Sequence, residues 1–296
     1  MSILLTGGTG FIGSAVLARL IETGHEVTAV VRSESSAAAV TAAGATAVIG
    51  DVTDVDWLSG LLAESDGAIH AAVPSEGSAA DFDDAVIDAV IAAFAGTSKR
   101  YIHTGGIWTW GSSSTITEES APNPPALTAW RVARHERLLE SGIAASIIAP
   151  GIVYGHGKGI PGILAGAPVN ADGARLLIGS GEQHWTTIHV DDLADLYVAV
   201  LDKGKRGEEY IGASGANPTV RELGEAAAGA RGSVVAESDD ATRARLGADF
   251  ADALLLDQQA SGAKARVDLG WAPTRPSLVS ELVEASELRA LSTPRD

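Results

Sequence analysis

Thr6-Gly7-Gly8-Thr9-Gly10-Phe11-Ile12-Gly13 has the residue types and spacing to hold a phosphate. A short apolar run, Ile3-Leu4-Leu5, precedes it, and an amphipathic run through Ala15, Val16, Leu17, Leu20 and Ile21 follows. Strand, glycine turn and helix are the context in which such a pattern binds a dinucleotide. Gly7 permits the tight turn, Gly10 lets backbone approach a pyrophosphate, and Gly13 lets the helix pack closely. Free N–H groups at the helix start then face the anion.

The next chemistry lies at the end of the second strand, Glu26-Val27-Thr28-Ala29-Val30-Val31, which runs into Arg32-Ser33. A site built for an unphosphorylated ribose offers a carboxylate there. Arg32 instead supplies a planar, permanently charged fork suited to a 2′-phosphate, and Ser33 a further hydrogen bond. The expected cofactor is therefore NADP(H). His103, His135, His156 and His184 titrate in a useful range but are dispersed along the chain, and Asp191-Asp192 opens a helix, so no metal cluster is expected. No Ser-His-Asp hydrolase elbow is present, and the absence of cysteine excludes disulfides, thiolate metal sites and cysteine nucleophiles.

These groups need a scaffold, and the chain supplies one. Helical and strand patterns alternate from residue 1 to 150, with strands expected at 45–49, 67–72, 100–103 and 144–149 and helices at 36–43, 58–62, 82–94 and 129–139. That alternation predicts an α/β fold, a Rossmann-type doubly wound parallel sheet with its ligand-binding loops on one rim. Beyond Pro150 glycine and proline break the rhythm, so 151–296 is expected to form a smaller substrate lobe, with about 185–201 returning to the main sheet. The apolar fraction of 46% argues for an ordered globule, and a net charge of −17 argues against nucleic acid or anionic membrane as partners. Residues 1–20 carry no basic, apolar leader pattern, and no apolar run reaches the roughly 18 residues of a membrane span, so a cytoplasmic protein is expected.

The chain resembles the extended short-chain dehydrogenase/reductase family, whose members are also described as NAD-dependent epimerases/dehydratases. Residues 6–13 resemble its cofactor turn, and Gly50-Asp51-Val52-Thr53-Asp54 its adenine-contacting segment. His70-Ala71-Ala72, with Val73 after it, resembles the edge beneath the nicotinamide ribose, and Pro150-Gly151-Ile152-Val153-Tyr154-Gly155 the loop flanking the nicotinamide. His189 to Ala194 and Leu269 to Pro273 match later signatures. The resemblance implies a catalytic tyrosine four residues before a lysine, with a serine or threonine on the preceding strand end. By spacing, Trp130 stands at the tyrosine position and Arg134 at the lysine position, while Thr104 is the hydroxyl at the strand mouth.

An indole is a donor that does not titrate, and a guanidinium keeps its proton, so this pair cannot run ordinary acid–base chemistry. The expectation is then that Arg134 holds the nicotinamide ribose, while Thr104 or Tyr154 orients or protonates substrate. Trp108, Trp110, Trp130 and Trp185 suggest an apolar or aromatic pocket. The function expected is hydride transfer to a small carbonyl, imine or activated alkene. The alternatives are a non-catalytic NADP(H) sensor and a nucleotide-sugar epimerase or dehydratase. A small-molecule substrate is the expected partner, and a homodimer is the assembly common in the family.

Overall fold

The computed structural model describes residues 1–74, 76–230 and 232–292. In chain order its amino-terminal part runs β1 (Ser2–Thr6), α1 (Phe11–Glu22), β2 (Glu26–Val31), α2 (Glu34–Ala42), β3 (Thr46–Ile49) and α3 (Val55–Ala63). There follow β4 (Gly67–His70), α4 (Ala79–Phe94), β5 (Arg100–Thr104), a 3₁₀ turn (Ile107–Trp110), β6 (Ser113–Ile116), α5 (Arg131–Glu140) and β7 (Ala144–Pro150). The remainder is β8 (Ile152–Gly155), β9 (Lys158–Gly159), α6 (Gly162–Ala165), β10 (Ala174–Leu176), β11 (Thr187–His189), α7 (Val190–Lys203) and β12 (Glu208–Gly212). It closes with α8 (Val220–Ala228), β13 (Ser233–Val235), α9 (Asp239–Leu246), α10 (Ala248–Leu254), β14 (Gln258–Ala260), α11 (Ala263–Leu269) and α12 (Leu278–Ser292).

Seven parallel strands form the main sheet in the order β12-β7-β5-β4-β1-β2-β3. The two-residue period of a strand sorts its side chains. Ile3 and Leu5 of β1 join α1, α7 and α11 in one core, whereas Leu4 joins α3, α4 and α5 in the other. Both faces are covered, which explains why these strands read as nearly continuous apolar runs. The expected Rossmann-type architecture is therefore present, with its loops gathered at the C-terminal rim of the sheet.

The segment that rejoins the sheet differs from the expectation. β11 pairs not with the main sheet but with β8, in a small three-stranded sheet closed by β9. A Cβ on Gly151 would sit 2.6 Å from the Thr186 carbonyl, so this glycine lets the β7–β8 and β11 backbones meet where the chain leaves the main sheet. α7 does pack against α1, but the returning strand is β12, which pairs with β7. Ile152, Tyr154, Trp185, Leu223, Leu254 and Leu278 belong to a separate core of the later lobe. Among the described residues no helix is long and apolar enough to cross a membrane.

Candidate active site

β1 ends at Thr6, and Gly7 turns the chain with φ 78°. A Cβ on Gly7 would lie 2.5 Å from the Ala71 carbonyl carbon, and one on Gly13 would lie 2.0 Å from the Gly7 oxygen. Both positions therefore require glycine for close backbone approach. Gly10 caps α1 with no side-chain hydrogen bond, so the first-turn N–H groups, with Thr9 exposed beside them, remain available to an anion. These are the features a pyrophosphate needs.

Two hollows lie along the C-terminal rim of the main sheet. One, of about 460 Å³, is lined by Arg32, Asp51, Thr53 and Phe82, among others. The Thr53 N–H and hydroxyl both donate to Asp51, at 2.9 and 2.8 Å, and with the Arg32 charge they hold its carboxyl below the usual range. Ser33 acts locally. Its hydroxyl accepts the Ser36 N–H at 3.2 Å, capping α2, and donates to the Ser36 hydroxyl at 3.1 Å. Val52 is buried in the core beneath α3–α5.

The other hollow, of about 450 Å³, continues from the glycine turn along the sheet rim. Gly10, Phe11 and Ile12 border it, with Ala71-Ala72-Val73, Pro150-Gly151-Ile152-Val153 and residues 104–108. The segments expected to flank a nicotinamide are thus brought together. Asp83, Thr128 and Arg131 complete the polar lining. A Cβ on Gly159 would come within 3.2 Å of the Phe11 ring, so the β9 strand lies close over the turn. Glycines without room for a Cβ, the open helix start and a charged residue at each end fit a dinucleotide.

Several expected roles change. Arg134 points away from the hollow: its guanidinium donates to the Ala80 carbonyl (3.1 Å), the Trp130 carbonyl (2.9 Å) and Asp84 (2.5 Å), tying α5 to α4. Arg131 borders the hollow instead and donates to the Thr104 carbonyl at 3.1 Å. Tyr154 is only 2% exposed, and its hydroxyl donates to the Pro276 carbonyl at 2.8 Å. Burial, with Glu281 and Asp192 nearby, raises its pKa, and Tyr154 is not among the residues that line the hollow. Thr104 does line the hollow, yet its proton goes to the His70 carbonyl at 2.6 Å, which leaves the Tyr197 hydroxyl to donate to it at 2.6 Å.

Of the four tryptophans only Trp108 borders the hollow, its ring edge-on to Phe250. Trp110 and Trp185 are core residues, the latter donating to the Leu254 carbonyl, and Trp130 donates to the Leu127 carbonyl under the Arg131 guanidinium.

Three residues carry signals that the sequence reading passed over. Thr128 has a buried hydroxyl oxygen without a hydrogen-bond partner, beside Arg131. Asp83 belongs to the apolar stripe of α4, with Val86, Ile87, Val90 and Phe94, at helical spacing. An acid on a buried stripe is worth explaining, and His70 and His103, adjacent in register on β4 and β5, both face it. The histidines expected to be dispersed also partly converge: His156, His189 and Asp191 bring one ligand atom each within 4.8 Å of one another. Their atoms already serve ion pairs and a cap, His156 with Asp191 at 2.9 Å, His189 with Glu281 at 3.0 Å, and the Asp191 N–H onto His189.

The NAD dependent epimerase/dehydratase family model matches residues 3–212. The chain belongs to this family. Its members bind NAD(P) and include epimerases, dehydratases and reductases. An uncharacterized protein of Schizosaccharomyces pombe is 31% identical over 95% of this chain and 98% of its own length. The UDP-glucose 4-epimerase of Mycolicibacterium smegmatis is 28% identical over 92% of this chain and 94% of its own. Among solved structures, a human epimerase family protein crystallised with NADPH superposes with a TM-score of 0.72, at 22% identity, over 97% of this chain and 99% of that one. That likeness is one of fold, and it agrees with the seven-stranded sheet.

Proposed function

We propose that this member of the family is an NADP(H)-dependent oxidoreductase that reduces a small, apolar or aromatic carbonyl, imine or activated alkene. One observation carries the reading: among the described residues, the ionisable side chains lining the hollow are Asp83 and Arg131. Asp83 is held ionised by the His103 N–H with His70 beside it, and Arg131 keeps its charge, so neither readily takes a proton from an alcohol. Oxidising a sugar hydroxyl needs such a base; accepting a hydride does not.

In this reading Gly7, Gly10 and Gly13 hold the pyrophosphate with the α1 N-terminus, and Arg32 at the end of β2 holds the 2′-phosphate. Bound there, NADPH would supply a hydride. Arg131 orients the acceptor group with its remaining N–H donors, the unpartnered Thr128 hydroxyl offers a further hydrogen bond, and Trp108 supplies an apolar wall. Where an oxyanion develops, its proton comes from water, since the Thr104 proton is committed to His70.

A second reading, a sensor that binds the nucleotide without turnover, is favoured by that same committed hydroxyl. Calorimetric titration with NADPH, NADP+, NADH and NAD+, followed by an NADPH-consumption screen of aromatic carbonyls, imines and enones, separates the two. Tight binding of the phosphorylated pair with turnover supports the reductase, and tight binding with a silent screen supports the sensor. Binding of none of the four ends both.

A further inference from the structure

Asp83 is not needed for hydride transfer to a neutral carbonyl, and its surroundings are elaborate. The carboxylate is 4% exposed and lines the hollow at the start of α4. Beneath it Thr6, His70 and His103 form one row across β1, β4 and β5. Thr6 Oγ1 lies 2.7 Å from His70 Nδ1, and the Tyr101 hydroxyl lies 2.9 Å from His103 Nδ1. With the Tyr101 hydroxyl donating to its Nδ1, the His103 ring carries a proton on Nε2 and donates it to Asp83 at 3.1 Å, while His70 Nε2 lies 3.6 Å from the carboxylate, beyond hydrogen-bond range. The two rings stack with centroids 5.2 Å apart.

A carboxylate has about four acceptor sites, and among the described residues the hydrogen bond Asp83 accepts comes from His103. The rest are left for the hollow. Burial alone would raise the Asp83 pKa, but the His103 and His70 rings outweigh it and leave the group ionised. The other polar groups around it are Tyr101 on β5 and Arg131 and His135 on α5. Arg131 is committed to the Thr104 carbonyl and, among the described residues, makes no ion pair with Asp83.

The hollow pairs the Asp83 carboxylate with the Arg131 guanidinium and offers no side chain that gives up a proton: Arg131 keeps its charge, the Thr104 proton goes to the His70 carbonyl, and Tyr154 faces Pro276. A ketone's developing oxyanion can accept from Arg131 but must still find a proton, and it shares the hollow with a carboxylate. An iminium ion needs no proton. A hydride adds to its carbon, the C=N π pair becomes a nitrogen lone pair, and the positive charge passes to the nicotinamide. No proton enters or leaves. We infer that the substrate is a cationic C=N compound, an iminium ion or protonated imine, and that Asp83 selects its charge.

The inference rests on the hydride-transfer reading, and its test keeps the two apart. N-methyl-3,4-dihydroisoquinolinium, a permanent cation, and 1-tetralone, its neutral counterpart in shape, are each supplied to the full chain with NADPH. Binding of the irreducible N,N-dimethyltetrahydroisoquinolinium to the NADPH complex is measured by calorimetry beside them. An ion pair with the buried Asp83 carboxylate predicts that the cation exceeds tetralone in kcat/KM, and the irreducible cation exceeds it in affinity, by roughly 10- to 100-fold. Asp83→Asn should collapse that ratio toward one while the NADPH Kd holds. Equal or better use of tetralone overturns the inference and leaves the reductase reading standing. A matching loss of NADPH affinity in Asp83→Asn overturns it too, by making the carboxylate a cofactor contact. Failure of NADPH to bind removes both. The wild-type comparison decides the matter even if Asp83→Asn does not fold.

Discussion

Replacing Gly13 by alanine tests the cofactor turn directly. The new Cβ would lie 2.0 Å from the Gly7 oxygen, 2.6 Å from its carbonyl carbon and 3.2 Å from the Gly8 nitrogen, all of them backbone atoms. Relieving that contact requires turn and helix to part by more than ~1 Å, since non-bonded heavy atoms settle near ~3.5 Å. The α1 N–H donors move with the helix, and a hydrogen bond of about 2.9 Å stretched by ~1 Å is lost. One charge-assisted bond lost at ~1.5–3 kcal/mol raises the NADPH Kd roughly 10- to 150-fold. Strain removes a further ~1–3 kcal/mol of stability. Gly60→Ala is the control: it is exposed in α3, with nothing within 4 Å of the added Cβ, and should gain ~0.4–1 kcal/mol while binding NADPH as before. Calorimetry supplies Kd and thermal unfolding the stability change. A Gly13→Ala protein that binds NADPH within about 2-fold of wild type would refute the close-approach argument, because such a loss is under ~0.5 kcal/mol.

Arg131 and Arg134 should separate cleanly. Arg134→Ala loses its bonds to Asp84 and Ala80, costing ~1–2 kcal/mol in a urea titration with NADPH affinity unchanged. Arg131→Ala should lower kcat/KM by roughly 10-fold or more; the opposite pattern would restore Arg134 to the site. Tyr154→Phe should keep full activity and lose ~1 kcal/mol with the Pro276 bond, so a large fall in kcat would return the tyrosine to acid catalysis. Glu209, beside His135 at 3.7 Å, has its pKa raised by burial from 4.5 to about 7, so the folded state holds this proton more tightly and its contribution is lost as pH rises through about 7. Relative to wild type, Glu209→Gln should therefore gain stability between pH 4.5 and about 7, and a flat difference in urea midpoint would contradict it. His135 acts with the opposite sign: burial, then the His103 and Arg131 charges, lowers it from 6.5 to about 3, so its contribution is lost as pH falls below 6.5.

Much of this was legible in the residues because it is local. β1, the glycine turn and α1 are set by neighbours in sequence, and so are the alternating elements up to β7. The family and the Rossmann-type sheet followed from that, as did the meeting of residues 10–12, 71–73 and 150–153 around one hollow. The choice between Arg131 and Arg134 did not. A four-residue spacing assumes a continuous helix, but α5 begins only at Arg131, after turns through residues 126–130, so Arg134 reaches α4 while the Trp130 indole donates to the Leu127 carbonyl. Tyr154 was assigned to the cleft by its loop, whereas strand β8 turns it toward the later lobe. Asp83 was legible in principle, since its spacing to Val86, Ile87, Val90 and Phe94 is that of a buried stripe. What no local pattern carries is the register that sets His70 beside His103.

That register extends further than the cleft. Thr6, His70, His103, Ile147 and Glu209 are mutual neighbours across β1, β4, β5, β7 and β12. Four of these five positions are polar, and His135 of α5 lies over the row, its ring carbon Cε1 2.9 Å from where a Cβ on Gly105 would be and its Nδ1 3.7 Å from Glu209. Changing Thr6, His70 or His103 leaves a buried partner stranded, at ~1–3 kcal/mol. Single substitutions along the row are therefore selected against, and a new floor for the cleft is reached only through several coordinated replacements on separate strands. Descendants of this chain should alter their loops freely and keep the row whole, or exchange it as a block.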